Sequence, residues 1–278
     1  MHAFRFDFFN NPTDQNQTTI ASPNNDTQIE TIAPEAKKNG KLDKETLLEK
    51  YSSTERKLSF DEHTLVNGIK VWTRNGGDLS VNDKLAKYTD LVPKIYEGGF
   101  KIWECSFDAI YSLNKLTEAP EELLDLGCGS GIVGIWVLKR WTSTNVTFHD
   151  LNDSVIEKST LPNVLRNGDS LIKRSSFHFG PWETGSELKK DFFDVVITAD
   201  TLYSEYSHEH LQNLLLHVLK PTGVAFIAAK RFYFGVGGGV ASFRQLTSNI
   251  GKAETEIIAS YEDGASNIRD VIEFRKKL

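Results

Sequence analysis

The stretch with the most chemical content is ELLDLGCGSGIVGI, residues 122–135. A short apolar run ends at Asp125, and Gly127, Gly129 and Gly131 then precede a stretch with helical character. Glycine lets a backbone turn with torsions that other residues avoid, and it lets a ligand approach closely. The first turn of the helix offers free N–H groups to a negatively charged part of that ligand. The order of these elements predicts a nucleotide site.

A second carboxylate narrows the class of ligand that this site could bind. The next predicted strand, VTFHD, ends in Asp150, where a carboxylate can accept hydrogen bonds from both hydroxyls of a ribose. A dinucleotide fold would show G-x-G-x-x-G, whereas this chain reads D-L-G-C-G-S-G. Asp125 would repel a pyrophosphate, but it suits the cationic methionyl part of S-adenosylmethionine. The only Tyr-x-x-x-Lys, Tyr111 to Lys115, precedes the glycine loop. Methyl transfer is therefore favoured over hydride transfer, the nicotinamide alternative.

Two later segments carry further polar and aromatic side chains. ITADTLYS places Asp200 and Tyr203 after a predicted strand, at the mouth where an open α/β sheet binds its ligand. YFGVGGGV, residues 233–240, follows the fifth predicted strand, too far from the first glycine loop to be the nucleotide cradle. We expect it to form a lip of a protein-substrate pocket, and a flexible loop that starts a helix is the alternative. The predicted substrate-binding residues of this lip are Tyr233, Phe234, Gly235, Gly237 and Gly238.

The elements that position these residues alternate between β-rich runs and helical stretches, which predicts a parallel sheet with helices on both faces. The predicted strands are Glu122–Leu126, Asn145–His149, Ser176–Phe179, Phe193–Ala199 and Gly223–Ala229. The predicted helices are Ile102–Leu116, Ile132–Trp141, Asp153–Asn167, Ser207–Leu219 and Val240–Ile250. TEIIASY and RDVIEFRK, joined by an Asp263-Gly264 turn, predict a terminal antiparallel hairpin.

The chain divides into three predicted regions. Residues 1–60 are rich in Asn, Thr, Gln and Pro and are expected to be largely disordered, with a short aromatic start at Phe4, Phe6 and Phe8. Residues 61–101 form an extension with a hairpin signal at Asn67-Gly68. Residues 102–278 form the α/β domain.

Composition excludes several classes of function. The net charge of −6 over 278 residues lacks the basic footprint of a nucleic-acid-binding protein, so no direct nucleic-acid binding is expected and a basic partner is favoured. Two cysteines, Cys105 and Cys128, make neither a disulfide framework nor a zinc quartet, and the scattered histidines predict no metal site. Neither a membrane span nor a signal peptide is expected. A monomer is expected.

From about Ile102 to its end, the chain resembles the class I, seven-strand S-adenosylmethionine-dependent methyltransferases, a Rossmann-like fold. More narrowly, IYEGGFKIWECSFD, LDLGCGSGIVGI, HDLNDSVIEKSTLPNV, FGPWE, ITADTLYS and AKRFYFGVGGGV resemble, in this order, the eukaryotic protein-histidine methyltransferases of the methyltransferase-like group. The resemblance implies a histidine of a large-subunit ribosomal protein as substrate. It implies a role in ribosome biogenesis or translation, in the cytoplasm and nucleus, with the nucleolus as a candidate compartment.

The resemblance also implies roles for individual residues. The expected cofactor-binding residues are Trp103, Glu104, Asp125, Gly127, Gly129, Gly131, Asp150, Asn152, Trp182 and Ala199. Trp103 would lie over the cofactor and Trp182 beside its adenine, although each could instead be a packing residue. Asp200 begins the Asp-x-x-Tyr pattern of the wider group, whereas the histidine-specific members have Glu at that position.

Methyl transfer to an imidazole needs a neutral lone pair that is aligned with the methyl group in the absence of water. An acceptor on the other ring nitrogen would fix the tautomer that attacks. Asp200 is the candidate for this orienting role and Tyr203 shapes the pocket, which makes both predicted catalytic residues. The alternatives are that Asp200 caps the helix that follows it in the chain and that Tyr203 is a packing residue.

Two other functions remain open from the sequence. A protein-lysine methyltransferase of the same group would share the core motifs, but it would need a base to remove a proton before attack. An inactive cofactor-binding module that escorts a ribosomal protein would bind its partner without transferring a methyl group.

Overall fold

The structure of the protein, a computed structural model, describes residues 39–52, 58–75, 91–92, 96–184, 187–262, 264 and 267–277. The chain divides into two units, Met1–Ala36 and Lys37–Leu278, and every described residue belongs to the second unit. The predictions for the aromatic start and for Asp263 lie outside the described residues. No helix in the described ranges is both long enough and apolar enough to cross a membrane.

The secondary structure of the described residues alternates as expected. The strands are β1 (Gly40–Lys41), β2 (Phe60–Thr64), β3 (Lys70–Arg74), β4 (Leu91–Val92), β5 (Tyr96–Glu97), β6 (Glu122–Leu126), β7 (Asn145–Asp150), β8 (Ser175–Phe179), β9 (Phe193–Ala199), β10 (Leu219–Lys230), β11 (Ala253–Tyr261) and β12 (Arg269–Lys276). The helices are α1 (Lys44–Ser52), α2 (Glu104–Leu113), α3 (Ile132–Arg140), α4 (Asp153–Val155), α5 (Leu161–Asn167), α6 (Asp169–Lys173), α7 (Glu205–Val218) and α8 (Val240–Ile250). Short 3₁₀ turns cover Val66–Gly68 and Trp182–Thr184, and Ile156–Thr160 is a π-helical turn.

The main sheet has eight strands within the described residues, in the order β1-β8-β7-β6-β9-β10-β12-β11. The strands β8, β7, β6, β9 and β10 run parallel, and β12 lies antiparallel between β10 and β11. This arrangement confirms the Rossmann-like α/β fold and the terminal antiparallel hairpin. The sheet has one strand more than the seven expected, because β1 pairs with the edge strand β8.

Helices cover both faces of the sheet, which explains why its central strands are apolar at consecutive positions. Along β9, Val195 and Ile197 belong to one core cluster together with residues of α2 and α3. Val196, which lies between them, belongs to the other cluster, together with residues of α7 and α8. Side chains alternate between the two faces of a strand, so one strand supplies both cores.

The region before the α/β domain holds more structure than its composition suggested. The Asn67-Gly68 hairpin is confirmed: β2 pairs antiparallel with β3, and both turn residues have positive φ. Upstream, β1 and α1 lie inside the span that was expected to be largely disordered. Both are anchored by contacts with distant residues. The Leu42 N–H donates to the carbonyl of Phe177, and the side chain of Leu47 is buried.

A pair of histidines faces each other across two strands near the edge of the sheet. His149 of β7 lies in register with His178 of β8, and the Nδ1 atoms of both rings are buried with no hydrogen-bond partner among the described residues. Burial, reinforced by the neighbouring His178, lowers the pKa of His149 to about 3. Burial, reinforced by Lys41, lowers the pKa of His178 to about 4. Both rings are therefore neutral in the folded protein at neutral pH.

We expect this pair to make the fold sensitive to acid. In the unfolded chain a histidine binds a proton below about pH 6.5, whereas in the folded protein His149 and His178 stay neutral until the pH is lower. The contribution of the pair to stability is therefore full above about pH 6.5 and is lost as the pH falls below it. The unfolding free energy of the wild type should fall between pH 7 and pH 5, and in His149→Gln that fall should be about 2 kcal/mol smaller. Urea denaturation at the two pH values measures the difference. His210→Gln on α7 is the control, and an equal effect of both substitutions would contradict the assignment.

Candidate active site

The glycine loop between β6 and α3 is held by hydrogen bonds to the end of β7. The N–H groups of Gly127 and Cys128 donate to the carbonyl of His149 at 2.8 and 2.9 Å. Gly127, Gly129 and Gly131 have φ values of 68°, 52° and 73°, in the left-handed region that favours glycine. The loop therefore depends on these glycines, as the sequence predicted.

Asp125, the last residue but one of β6, is buried beneath the loop. Its Oδ2 accepts the N–H of Gly134 at 2.9 Å, which ties the strand to the first turn of α3. Burial, with a smaller contribution from the carboxylate of Asp150, raises the pKa of Asp125 to about 7 against the opposing effect of the Gly134 N–H. A ligand cation beside this carboxylate would favour its ionised form.

Asp150, at the end of β7, faces the same loop. Its Oδ2 accepts the N–H of Gly129 at 3.0 Å, and its Oδ1 accepts the N–H of Asn152 at 3.2 Å. The predicted cofactor residues Gly129, Asp150 and Asn152 therefore form one connected group. They lie where the chain switches from one side of β6 to the other, the point at which open α/β sheets bind ligands.

The π-helical turn is hydrogen-bonded to the glycine loop. Thr160, its last residue, donates its hydroxyl to the carbonyl of Gly129 at 2.7 Å. Pro162, two residues later, has no N–H to donate to the helix, which is consistent with the local change in helix geometry. Asn163 accepts the N–H of Arg74 from β3 and donates to the carbonyl of Ser130. The N-terminal hairpin is thereby connected to the glycine loop.

Asp200, directly after β9, has φ of 56°, a left-handed conformation that Asp tolerates better than most residues. Its N–H donates to the carbonyl of Ala228 in β10 at 2.8 Å. Its Oδ2 accepts the N–H of Cys105 at 3.2 Å, and its Oδ1 accepts the hydroxyl of Tyr233 at 2.6 Å. Asp200 therefore caps the N-terminus of α2, rather than the helix that follows it in the chain.

The helix that Asp200 caps is fixed at a second point. Asp108 of α2 accepts the Nε–H of Arg269 from β12 at 2.6 Å, and both side chains are buried. Burial raises the pKa of Asp108, and the neighbouring guanidinium opposes that rise. Removing one partner of such a buried pair leaves an uncompensated charge. The pair therefore fixes the second turn of α2 to the start of β12.

Tyr203 lies in the same loop as Asp200 and donates its hydroxyl to Glu97 of β5. Burial and the nearby Glu97 carboxylate raise the pKa of Tyr203, so its hydroxyl stays protonated. The rings of Tyr203 and Tyr233 meet edge to face with centroids 6.4 Å apart. Tyr203, Tyr233 and the carboxylates of Glu97 and Asp200 therefore form one connected polar, aromatic group.

The YFGVGGG segment packs its backbone against the loop that carries Tyr203. The Gly238 N–H donates to the carbonyl of Tyr203, and the Tyr233 N–H donates to the carbonyl of Gly238. A Cβ at Gly238 would lie 2.1 Å from the carbonyl oxygen of Leu202. At Gly235 and Gly237, by contrast, no described atom lies within 4 Å of such a Cβ. Position 238 needs a glycine because the backbone of Leu202 and Tyr203 lies close to it, whereas Gly235 and Gly237 face open space.

We expect Gly238→Ala to displace this lip. The added methyl group would force the backbones of the two loops apart, so turnover should fall by about tenfold or more while cofactor affinity changes by less than about threefold. Steady-state kinetics and cofactor titration measure the two effects separately. Gly251→Ala controls for general destabilisation, because Gly251 caps α8 with a φ of 74° that strains an alanine, while no described atom lies within 4 Å of its added Cβ. A parallel loss of turnover in both variants would contradict the local explanation.

The start of α2 places an aromatic ring and a carboxylate beside a buried lysine. The Nζ of Lys230, at the end of β10, lies 3.3 Å from Glu104 Oε2 and 5.7 Å from the centre of the Trp103 ring. Trp103 Nε1 donates to the carbonyl of Gly98 at 3.1 Å. Lys230 thus brings Trp103 and Glu104 close to Tyr233, whose ring centre lies 5.8 Å from the same Nζ.

The remaining predicted residues lie around this group. Ala199 is partly buried at the end of β9, directly before Asp200. Trp182 packs against the second core cluster at a 3₁₀ turn, and its neighbour Glu183 is close enough to affect the pKa of Tyr203. Phe234 is 79% exposed and stands outside the polar space. The ligand that each of Ala199, Trp182 and Phe234 contacts stays a prediction.

Sequence reasoning missed Glu97 and Lys230. Both lie inside motifs that carried the family resemblance, IYEGGF and AKRFYF. Their partners, Tyr203 and Glu104, are distant in the chain, so only the fold brings them together.

The arrangement fits S-adenosylmethionine. Asp125 and Asp150 are close enough for one carboxylate to raise the pKa of the other, so a cationic ligand relieves their repulsion. Asp150 stands at the strand end where a ribose is recognised, and the glycine loop keeps side chains out of the way. No group of three or more His, Cys, Asp or Glu side chains in the described part of the chain is placed to hold a metal ion.

A family model described as "Lysine methyltransferase" matches residues 94–233, about half of the chain. The chain belongs to this methyltransferase family. The matched range runs from just before β5 to Tyr233 and includes the glycine loop, Asp150 and Asp200. The family's range therefore contains the predicted cofactor residues and the predicted catalytic residues Asp200 and Tyr203, and it ends at the first residue of the predicted lip.

The chain is also similar to curated proteins from distant eukaryotes. "Histidine protein methyltransferase 1 homolog" of Dictyostelium discoideum is 40% identical over 70% of this chain and 63% of its own length. The protein of the same name from Rattus norvegicus is 34% identical over 72% of this chain and 63% of its own. "Histidine protein methyltransferase 1" of Schizosaccharomyces pombe is 31% identical over 55% of this chain and 58% of its own. The chain thus spans less than two thirds of the length of these relatives.

Proposed function

We propose that this protein transfers a methyl group from S-adenosylmethionine to a histidine side chain of another protein. The similarity that extends over 70% of the chain to a relative named for histidine methylation is the observation that carries the proposal. The geometry supports methyl transfer, because the predicted cofactor residues and a buried, polar acceptor space occupy adjacent strand ends.

The cofactor is held by residues of β6 and β7. Asp125 and the glycine loop bind its amino-acid part, and Asp150 accepts hydrogen bonds from its ribose hydroxyls. Trp103 and Trp182 contribute aromatic surface, with Trp182 beside the adenine. When bound, the cofactor supplies an electrophilic methyl group on a sulfonium.

On the acceptor side, the protein orients an imidazole and excludes water. An imidazole is largely neutral at cytosolic pH, so one ring nitrogen already carries the lone pair that attacks. Asp200 accepts the N–H of the other ring nitrogen and fixes the tautomer. Its carboxylate already accepts hydrogen bonds from Cys105 and Tyr233, and a carboxylate has about four acceptor sites in all.

The reaction is an in-line displacement. S-adenosylmethionine held by Asp125, the glycine loop and Asp150 would supply the methyl group and keep the C–S electron pair on its sulfur, while Asp200 would hold the imidazole lone pair in line with that methyl group. The resulting imidazolium then loses the proton that faces Asp200 to solvent, and neutral methylhistidine remains. Tyr203 and Tyr233 keep their protons, because burial and nearby carboxylates raise the pKa of both hydroxyls. They act as walls and hydrogen-bond donors.

The proposed substrate is a large-subunit ribosomal protein, with a role in ribosome biogenesis or translation. The net charge of −6 is consistent with a basic partner. The chain is proposed to act as a monomer in the cytoplasm and nucleus, without binding nucleic acid directly.

Lysine is the second candidate acceptor, because the family model is described as a lysine methyltransferase. A lysine ammonium must lose a proton before it can attack. Tyr203 and Tyr233 cannot take that proton near neutral pH, since the pKa of each is raised.

Methyl-labelled S-adenosylmethionine with purified large-subunit proteins, both free and assembled, tests the proposal. We expect one ribosomal protein to be labelled, and labelling should be lost with Asp150→Ala, which removes the ribose contact. Absence of label from every ribosomal protein would contradict the proposed substrate, and partner binding without label would support the inactive escort.

A further inference from the structure

Lys230 is a buried cation on the acceptor side of the site. It is the last residue of β10, two residues beyond Ala228, whose carbonyl accepts the N–H of Asp200. The residue is only 7% exposed. Its own N–H donates to the hydroxyl of Tyr233 at 3.3 Å, the hydroxyl that also bonds Asp200. Lys230 is therefore built into the same hydrogen-bonded group as Asp200.

The ammonium of Lys230 lies in surroundings that suit a cation. Its Nζ is 5.7 Å from the ring centre of Trp103 and 5.8 Å from that of Tyr233. Glu104 Oε2 is 3.3 Å away. Two aromatic faces and a carboxylate form the kind of site that binds a lysine ammonium or its methylated forms. Here the chain's own lysine fills that site.

We propose that Lys230 occupies the cation-binding corner of the acceptor pocket and thereby selects a neutral imidazole over a lysine ammonium. The inference rests on the proposed function, because it concerns the acceptor of that reaction. A lysine acceptor would bring a second ammonium close to Lys230 in a largely desolvated space, where like charges repel strongly. A neutral imidazole does not meet this repulsion.

Glu104 is already paired with Lys230, so this carboxylate does not provide a second place for a substrate cation. Specificity gained by placing a like charge against the wrong ligand is an established strategy in protein recognition.

The first test uses the wild-type protein saturated with S-adenosylhomocysteine. The probes are the histidine-bearing peptide that the protein labels, and copies with lysine or norleucine in place of that histidine. Norleucine has nearly the shape of lysine without its charge. We expect the norleucine peptide to bind at least about tenfold more tightly than the lysine peptide by calorimetry. Equal affinities would overturn the inference.

The second test uses variants with the same peptides. Lys230→Met should bring the affinities of the norleucine and lysine peptides to within about threefold of each other, whereas Lys230→Arg should keep the wild-type preference. Lys115→Met, at an exposed lysine beyond α2, should also keep it. An unchanged preference in Lys230→Met would overturn the inference.

The outcomes separate this inference from the proposed function. Histidine labelling by the wild type, combined with no discrimination against the lysine peptide, would refute the role of Lys230 and leave the function intact. Labelling of lysine alone would refute both. If Lys230→Met fails to bind the cofactor, the wild-type comparison of norleucine with lysine decides.

Discussion

Asp200→Asn is expected to lower kcat by about 100-fold while cofactor affinity and the KM for the protein substrate change by less than about threefold. The asparagine has the shape of the original side chain and can still accept the N–H of Cys105. It cannot accept hydrogen bonds from both Tyr233 and a substrate imidazole as a carboxylate does. The attacking tautomer would then no longer be held in line with the methyl group.

Steady-state kinetics and cofactor titration distinguish this role from a purely structural one. Because Asp200 also caps α2, a structural role would lower the melting temperature and cofactor affinity together with turnover. Tyr233→Phe is the companion variant, since it removes the hydroxyl that bonds Asp200 and keeps the ring. It should cause a smaller fall in kcat. Full turnover of Asp200→Asn with unchanged cofactor affinity would exclude the orienting role.

Asp125→Asn should weaken cofactor binding by about 30-fold at pH 8 and by less than about threefold at pH 5.5. The pKa of Asp125 is raised to about 7 by burial, so the wild-type carboxyl is ionised at the higher pH and protonated at the lower. The ionised form attracts the cationic part of the cofactor, and the protonated form resembles the amide of asparagine. Calorimetric titration at several pH values measures the difference.

The same substitution should stabilise the protein in the absence of cofactor. The folded-state pKa of about 7 lies above the ordinary value of 3.8, so the folded protein binds more protons between these values. Its stability therefore falls as pH rises from about 4 to about 7. Asp125→Asn should melt about 5 °C higher than the wild type at pH 8 and nearly the same at pH 4. Asp169→Asn, at an exposed carboxylate, is the control. A lower melting temperature of Asp125→Asn at pH 8 would show that the buried charge is not costly.

The central strands and the glycine loop could be predicted because local sequence determines them. Phe193–Ala199 and Val240–Ile250 match the predicted bounds, since a largely apolar run marks the strand and a helical period marks the helix. The loop glycines were identifiable because positive φ is required where a strand turns into a helix. Asp125 and Asp150 followed from their places at strand ends.

Contacts between distant segments could not be predicted from the sequence. β1 has two residues, too few to show a period, and it exists through its pairing with β8. The predicted helix Asp153–Asn167 proved to contain a π-helical turn, and α6 follows it separately. Asp200 was expected to serve the substrate or the helix after it, and it caps α2, which lies 95 residues earlier.

In the glycine-rich segment, composition alone does not assign a role to each glycine. Four glycines suggested an open lip, and Gly235 and Gly237 do face open space. Gly238, however, is needed for close packing against Leu202 and Tyr203. The roles differ because each depends on which backbone lies opposite, and the sequence does not record that.

The most direct test of the proposed chemistry is the identity of the methylated residue. Wild-type protein is incubated with methyl-labelled S-adenosylmethionine and large-subunit ribosomal proteins, and the labelled protein is hydrolysed in acid and resolved by amino-acid analysis. We predict that the label elutes as N-methylhistidine, with none as methyllysine. Label found in methyllysine would contradict the central claim.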